Sequence, residues 1–192
     1  MADSKVALDA KGLRVLAHPA RIQLVHLLRK HGPSTATRLA ELMGVNSGTA
    51  SYHLRQLAAG GFVEEDTERG NARERWWRAA HREIVLDDVA LVDAEADAAQ
   101  TYLQSVASTY AMHTQRALAE FPTLPGGWRE VFEISQFPLR LTVEQAVELK
   151  GRLHDVLSEY PRDDESPADG TERLDVVLYL HPEPAGDDPA HE

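Results

Sequence analysis

The stretch "TASYHLRQLAAGGFVEE", residues 49–65, decides the fold of the first half of the chain. It predicts a helix with an apolar face of Ala50, Leu54 and Leu57 at spacings of three and four. The glycine pair at residues 60–61 ends that helix, and a strand-like run follows. The opposite face has only side chains that need no burial, because it carries hydroxyls, a phenol and a guanidinium. These belong to Ser47, Ser51, Tyr52 and Arg55.

Two further helices precede this one, and a hairpin follows it. The segment "LAHPARIQLVHLLRKHG", residues 16–32, predicts a helix that begins at Pro19, a residue suited to the first helical turn. "PSTATRLAELMG", residues 33–44, predicts a second helix, which Ser34 or Thr35 can cap. Beyond the third helix, two strand-like runs flank the turn "RGNA", residues 69–72. This order predicts a winged helix-turn-helix.

The polar helix of such a fold has a well-defined use. It enters the DNA major groove, about 12 Å wide, where hydroxyls and guanidinium groups can bond base edges. Arginines of the hairpin, or wing, suit phosphate neutralisation. For His53 two roles stay open, support of a neighbouring helix and contact with phosphate. The residues predicted to bind double-stranded DNA are Ser47, Thr49, Ser51, Tyr52, His53, Arg55, Arg69, Arg73, Arg75 and Arg78.

Residues 16–28, 39–64 and 69–78 together resemble the arsenic-repressor-type (ArsR) winged-helix transcription regulators. The most specific part is a run of one serine, one histidine, two leucines, a glycine and two apolar residues. In this chain the run is Ser51, His53, Leu54, Leu57, Gly61, Phe62 and Val63. The resemblance implies a homodimeric, cytoplasmic DNA-binding regulator, usually a repressor that an effector releases from a palindromic operator.

The resemblance does not extend to metal sensing. Metal-sensing members of that family carry a Cys-x-Cys on the helix before the recognition helix, whereas this chain has Thr35, Ala36 and Thr37 there and no cysteine at all. Nor does the long helix show the family's Asp-x-His start. We therefore expect no metal site and no cofactor, and any effector should not be a metal.

Charge divides the chain into two halves. Residues 1–82 carry 13 Lys and Arg against 8 Asp and Glu, whereas the remainder carries 7 against 23. A basic half beside an acidic half fits one surface that meets a polyanion and another that does not. The alternative is that the acidic half is the functional surface of a winged-helix protein-interaction module. The wing argues for DNA, because it has four arginines within ten residues.

A long helix is expected from Val89 to Phe121, where no Gly or Pro interrupts the chain. Apolar and small residues recur there at spacings of three and four, as in a seam between two helices. The same helix of a second subunit is the simplest partner, so we expect a dimer. The predicted dimer interface comprises Val92, Ala96, Ala99, Leu103, Val106, Tyr110 and His113.

The C-terminal part predicts a small β-α-β unit. Residues 128–141 read as a strand with a proline kink, residues 142–160 as a helix with a Thr142–Gln145 capping box, and residues 173–180 as a strand. Its role stays open between a small-molecule sensor, a second dimer contact and a cover on the long helix. Arg140, His154, Tyr179 and His181 are the candidate polar groups of a pocket.

The whole sequence thus predicts an α+β protein with four parts. They are a winged helix at residues 1–86, a dimerisation helix at 87–121, the β-α-β unit at 122–181 and a disordered acidic tail at 182–192. No catalytic constellation is present, so we do not expect an enzyme. The absence of an apolar run of about 18–20 residues and of cysteines favours a cytoplasmic protein without a membrane partner.

Overall fold

The computed structural model describes residues 5–69, 74–161 and 170–183. It divides into two compact units, Met1–Leu124 and Pro125–Glu192. Residues 70–72 of the turn predicted for the wing, most of the segment 162–172 and the end of the acidic tail lie outside the described residues. Among the described residues, no helix is both long and apolar enough to cross a membrane.

Four helices form the body of the first unit. They are α1 (Ala10–Leu16), α2 (Pro19–His31), α3 (Ala36–Met43) and α4 (Ser47–Ala59). The start of α2 at Pro19 is confirmed, and so is a cap on α3, where the Thr35 hydroxyl accepts a hydrogen bond from the Arg38 backbone N–H. Helix α1 was not predicted. Its N-cap is Asp9, whose side chain accepts from the Gly12 N–H.

Five short strands form two small sheets. The first pairs β1 (Lys5–Ala7) in parallel with β5 (Glu83–Val85). The second has the order β2 (Ser34–Thr35), β4 (Trp76–Ala79), β3 (Val63–Glu65), and both of its pairings are antiparallel. Strands β3 and β4 are the predicted wing. Of the two adjacent tryptophans in β4, Trp77 is buried and Trp76 is half-buried.

A single hydrophobic core holds the first unit together. Leucines of the helices make up most of it, and the least exposed are Leu13, Leu16, Leu24, Leu27, Leu39, Leu54 and Leu57. Phe62, Val63, Trp77 and Ala79 attach the wing to this core. Burial of each large side chain contributes about 1.5–3 kcal/mol, so the core fixes α4 and the wing as parts of one rigid unit.

The long helix is not continuous, and this part of the prediction is wrong. The chain forms α5 (Val89–Ala94) and α6 (Ala96–Glu120), followed by a 3-10 turn (Phe121–Thr123). The break falls at Glu95, which has φ −123° and ψ 42°. Its carboxylate pairs with the guanidinium of Arg14 on α1. A helix break here lets α6 pack on the body of its own unit, because Ala99 and Tyr102 join the core.

The second unit contains α7 (Gly126–Val131) and α8 (Val143–Ser158). Helix α8 and its capping box at Thr142 and Gln145 are confirmed. The two predicted strands are not formed, however. Residues 126–131 are helical, and residues 132–142 and 171–183 belong to no strand. A strand requires hydrogen bonds to a neighbouring strand, and every ladder that the structure describes lies in the first unit.

Candidate nucleic-acid interface

Helix α4 is held by a cap at one end and by the core along one face. Gly44 takes a left-handed conformation with φ +67° in the turn that joins α3 to α4. Asn46 then caps α4, since its side-chain oxygen accepts a hydrogen bond from the Thr49 N–H at 2.8 Å. Ala50, Leu54 and Leu57 are fully buried. These contacts fix the rotation of α4 about its axis and so determine which side chains point outward.

The outward face of α4 carries the polar residues that the sequence singles out. Ser47, Tyr52 and Arg55 are exposed, and Thr49 and Ser51 are half-buried at the edges of that face. Tyr52 leaves 52% of its surface in solvent. The Arg55 Nε donates to the Ser51 carbonyl oxygen at 3.1 Å, which lays the side chain along the helix. The terminal nitrogens of the guanidinium lie beyond this bond and can form a fork for a ligand.

His53 does not belong to this face, which corrects its inclusion among the DNA contacts. It is 7% exposed. Its ring lies 4.4 Å from that of His18, the N-cap of α2, and 5.2 Å from that of Tyr52. Burial lowers the pKa of His53, and His18 and Arg21 lower it further. His53 is therefore a packing residue between α2 and α4, the first of the two roles that the sequence left open.

An open cleft of about 360 Å³ joins α4 to the wing. Ser51 and Arg55 of α4 line it, together with Arg75 and Trp77 of the wing side and Thr37 from the start of α3. With Thr35, which also lines the cleft, two guanidinium groups, three hydroxyls and an aromatic ring surround one space. Such a set can bind a phosphate or the edge of a base. The cleft also contains Glu74, whose charge opposes an anion.

The wing arginines have carboxylate partners within the hairpin. Arg78 lies opposite Glu64 in the β3–β4 register, and its Nε donates to that carboxylate at 2.8 Å. Arg75 pairs with Glu65 at 3.1 Å. Arg75 also lies 5.7 Å from the ring centre of Trp77. The wing is consequently less positive than its count of arginines indicates.

Two more wing arginines, Arg69 and Arg73, were predicted to contact DNA. Arg69 lies 3.6 Å from the buried carboxylate of Asp66, so this arginine also has an acidic partner. Arg73 lies outside the described residues.

Several residues of this surface were not predicted. Thr37 lines the cleft because β2 pairs with β4 and so brings the start of α3 next to the wing. Glu64 and Glu65 face arginines across the hairpin. A sequence signal for the two glutamates exists, because acidic residues cluster before the turn and arginines after it. Thr37 has no comparable signal, since only the tertiary pairing of β2 with β4 puts it there.

The predicted dimer residues split into two groups. Ala99 is 2% exposed in the core of its own chain, and Val92 and Val106 pack against that core. His113 contacts the ring of His26 on α2 at 3.9 Å. Ala99 therefore has no surface left for a second subunit, and its inclusion in the interface is wrong. Along the outward side of α6 lie Ala96, Leu103 and Tyr110, spaced seven residues apart, and the last two are 52% and 36% exposed.

Thr35 and Thr37 occupy the positions at which metal-sensing members of the resembled family carry their cysteine ligands. Thr35 is buried in β2 and caps α3, and Thr37 lines the cleft. Within the described part of the chain, no group of three or more His, Cys, Asp or Glu side chains could hold a metal ion.

These elements define the class of the protein as a winged helix-turn-helix. A family model described as "Helix-turn-helix domain" matches residues 16–66, the segment from the end of α1 to just beyond β3. The predicted helix-turn-helix is thereby confirmed, and the chain contains a domain of this kind. No curated protein matches the chain.

Two solved structures are similar to the chain. One is the homodimeric winged helix-turn-helix DNA-binding domain (fragment 1–100) of Mb0332 from Mycobacterium bovis, described as a possible ArsR-family transcriptional regulator. It is 28% identical, with 54% of this chain and 82% of that chain covered and a TM-score of 0.34. The other is the apo form of a double mutant of Lactococcus lactis ZitR, which is 13% identical, with 74% of this chain and 83% of that chain covered and a TM-score of 0.31.

Proposed function

We propose that this protein is a transcriptional regulator that binds a specific double-stranded DNA site through α4 and the wing. The observation that carries the proposal is the shared cleft, in which Ser51 and Arg55 of α4 face Arg75 of the wing. A helix that enters the major groove beside a basic hairpin needs this arrangement, with base contacts from the helix and phosphate contacts from the wing.

Helix α4 and the wing would contact different parts of the DNA. Arg55 and the hydroxyls of Ser47, Thr49 and Ser51 are placed to read base edges, because the buried face of α4 directs them outward. Tyr52 extends from the same face and can reach a phosphate or the methyl group of thymine. Arg75 and Arg78 serve phosphates, and their exposed ion pairs with Glu65 and Glu64 can open at little cost, since such pairs contribute about 0–1 kcal/mol.

The regulator would act as a homodimer on a palindromic operator. Leu103 and Tyr110 support this, because they leave large apolar side chains in solvent on one side of α6. A second copy of α6 would cover them and would set two α4 helices side by side. Two half-sites about one helical turn apart, roughly 34–36 Å, would then be read together.

Repression is the regulatory outcome that the resemblance to arsenic-repressor-type regulators favours. The absence of cysteine from the sequence argues that release does not depend on a thiophilic metal. Any effector would be of another chemical class.

The experiment is a gel shift of the purified protein against genomic DNA fragments at about 50 and 200 mM salt. A DNA-binding regulator retards a small subset of fragments at both salt concentrations, because base contacts survive when phosphate contacts weaken. The alternative, a protein-interaction module, retards no fragment preferentially and loses all binding at the higher salt concentration.

A further inference from the structure

The second unit exposes an unusual amount of apolar surface. Fifteen large apolar side chains from Val131 onward are between 37% and 75% exposed. No described residue of this unit is buried, not even on α8, where the leucines at 149, 153 and 157 are half-buried. At about half exposure, fifteen such side chains together leave on the order of 1,000 Å² of apolar area in solvent.

Two extended segments contribute most of this surface. Residues 132–142 and 171–183 have no helix and no described strand pairing, and α8 lies between them in the chain. Glu183 lines the same open cavity as Pro138 and Thr142, so the ends of the two segments lie close together. Both segments therefore have the sequence of strands but lack a complete sheet.

The second segment has the pattern of an inner strand. Leu174, Val176, Leu178 and Leu180 alternate on one side, and Val177 and Tyr179 make the other side apolar as well. A strand that faces water on one side alternates with polar residues, whereas a strand that is apolar on both sides lies inside a sheet with both faces covered. One helix, α8, can cover only one face.

The first segment has the pattern of an edge strand. Pro138 lies in its middle and has no N–H to donate, so a second neighbour could not pair with it along its whole length. Within one copy the two segments could form at most a two-stranded sheet, which is marginal in water. The open edge must then be that of residues 173–180.

We propose that this unit completes its sheet with a second copy of the chain, through antiparallel pairing of residues 173–180 with the same residues of the partner. A two-fold axis between the two inner strands, perpendicular to the sheet, gives a four-stranded sheet with the Pro138 strands at the outer edges and the α8 helices of both copies on one face. The apolar area available on each copy is similar to the roughly 800 Å² per partner of a standard stable interface.

A second copy is a better occupant than a charged macromolecule. Residues 132–141 contain one Glu and one Arg, and on the inner strand Arg173 pairs with Asp175 at 3.8 Å. A surface that is apolar and nearly neutral offers nothing to nucleic acid or an anionic membrane. It matches itself, because each copy supplies the neighbouring strand that the open edge of the other copy lacks.

A cysteine scan of the purified full-length protein tests this contact directly, since the chain has no native cysteine. Each residue from Arg173 to Leu180 is replaced singly by Cys and the protein is oxidised mildly. Directly opposed residues of antiparallel strands have Cα atoms about 4.5–5.5 Å apart, within the range of a disulfide. We expect covalent dimers to form at least tenfold faster at one or two adjacent positions than at the others.

Two controls locate the contact. Ser135→Cys on the outer strand should cross-link at the background rate, because the proposed sheet places the two outer strands far apart. The most reactive cysteine of the scan should still cross-link after Leu103→Asp, which breaks the contact proposed for α6. Adding an aspartate two residues away on the same strand, for instance Leu178→Asp beside Val176→Cys, should abolish this cross-link while the mean residue ellipticity at 222 nm of the protein, dominated by the first unit, stays unchanged.

The outcomes separate this inference from the proposed function. Equal, slow cross-linking along the whole scan would overturn the strand pairing and leave the α6 dimer and DNA binding unaffected. A monomeric mass together with low binding of an apolar dye would also overturn it, because the chain would then cover its own strands. Fast cross-linking in a protein that fails to bind DNA would uphold the contact and reject only the proposed function.

Discussion

Removing two acidic residues from the wing should strengthen DNA binding. Glu64 and Glu65 hold Arg78 and Arg75 at 2.8 and 3.1 Å, and all four side chains are more than 40% exposed. In Glu64→Gln with Glu65→Gln the arginines keep a hydrogen-bonding neighbour and lose a competitor of the DNA phosphates. Because exposed pairs contribute about 0–1 kcal/mol each, affinity should rise by up to about 1–2 kcal/mol, or roughly 5- to 30-fold.

Fluorescence anisotropy with a labelled duplex measures this effect over a range of salt concentrations. The gain should be equal on specific and random sequences, and the log–log salt slope should steepen by up to about two, because up to two more phosphates are neutralised. A matched control, Asp93→Asn with Glu120→Gln, removes the same charge from exposed positions on α5 and α6. Equal gains in control and wing variant, or no gain in the wing variant, would refute the local competition that we infer.

Three further predictions concern α4, α6 and His53. Arg55→Ala should weaken binding to the specific site by about 1–3 kcal/mol and relax the base preference at one position per half-site. Competition with single-base variants of the site measures both effects. An unchanged base preference would show that Arg55 does not read a base. In a chain that already carries Val176→Asp, and so lacks the contact proposed for residues 173–180, Leu103→Asp should place an unpaired charge in the α6 contact and weaken the dimer strongly in sedimentation experiments. Gln104→Asp in the same background should not, and equal effects would argue against α6 as an interface. Burial lowers the pKa of His53 below its ordinary 6.5, so the unfolded chain binds more protons and the free energy of unfolding should fall as the pH drops through about 6.5. Urea titrations of His53→Leu should show a smaller fall, and an identical pH dependence would mean that other groups cause it.

Local signals in the sequence were sufficient for the helix-turn-helix. Pro19, the Thr35 cap and the glycines at residues 44 and 60–61 mark ends of helices, and the apolar positions of α4 alone determine which face is buried. Such signals act over one or two turns of helix, so they can be read without knowledge of the tertiary structure. The outward face of α4 followed from them directly.

The structural features that the sequence did not predict depend on contacts between residues far apart in the chain. The pairing of β1 with β5 joins residues about 80 positions apart, and Glu95, where the long helix breaks, pairs with Arg14 of α1. His53 has the polarity of a surface residue, but it is buried, with its ring 4.4 Å from the ring of His18. The predicted dimer interface on α6 was partly wrong for a similar reason. Some of the residues spaced seven apart, such as Ala99, pack into the core of the same chain and not against a second subunit.

DNA recognition by α4 is tested most directly by selecting duplex DNA from a random pool with the purified protein and sequencing what is bound. We expect enrichment of one inverted repeat with half-sites about 10–10.5 base pairs apart, bound at least 10³-fold more tightly than random DNA. In the same selection, Arg55→Ala should lose preference at a symmetric pair of positions within that repeat. A pool that stays random, or that enriches the same sequence with and without Arg55, would contradict the claim that α4 reads DNA.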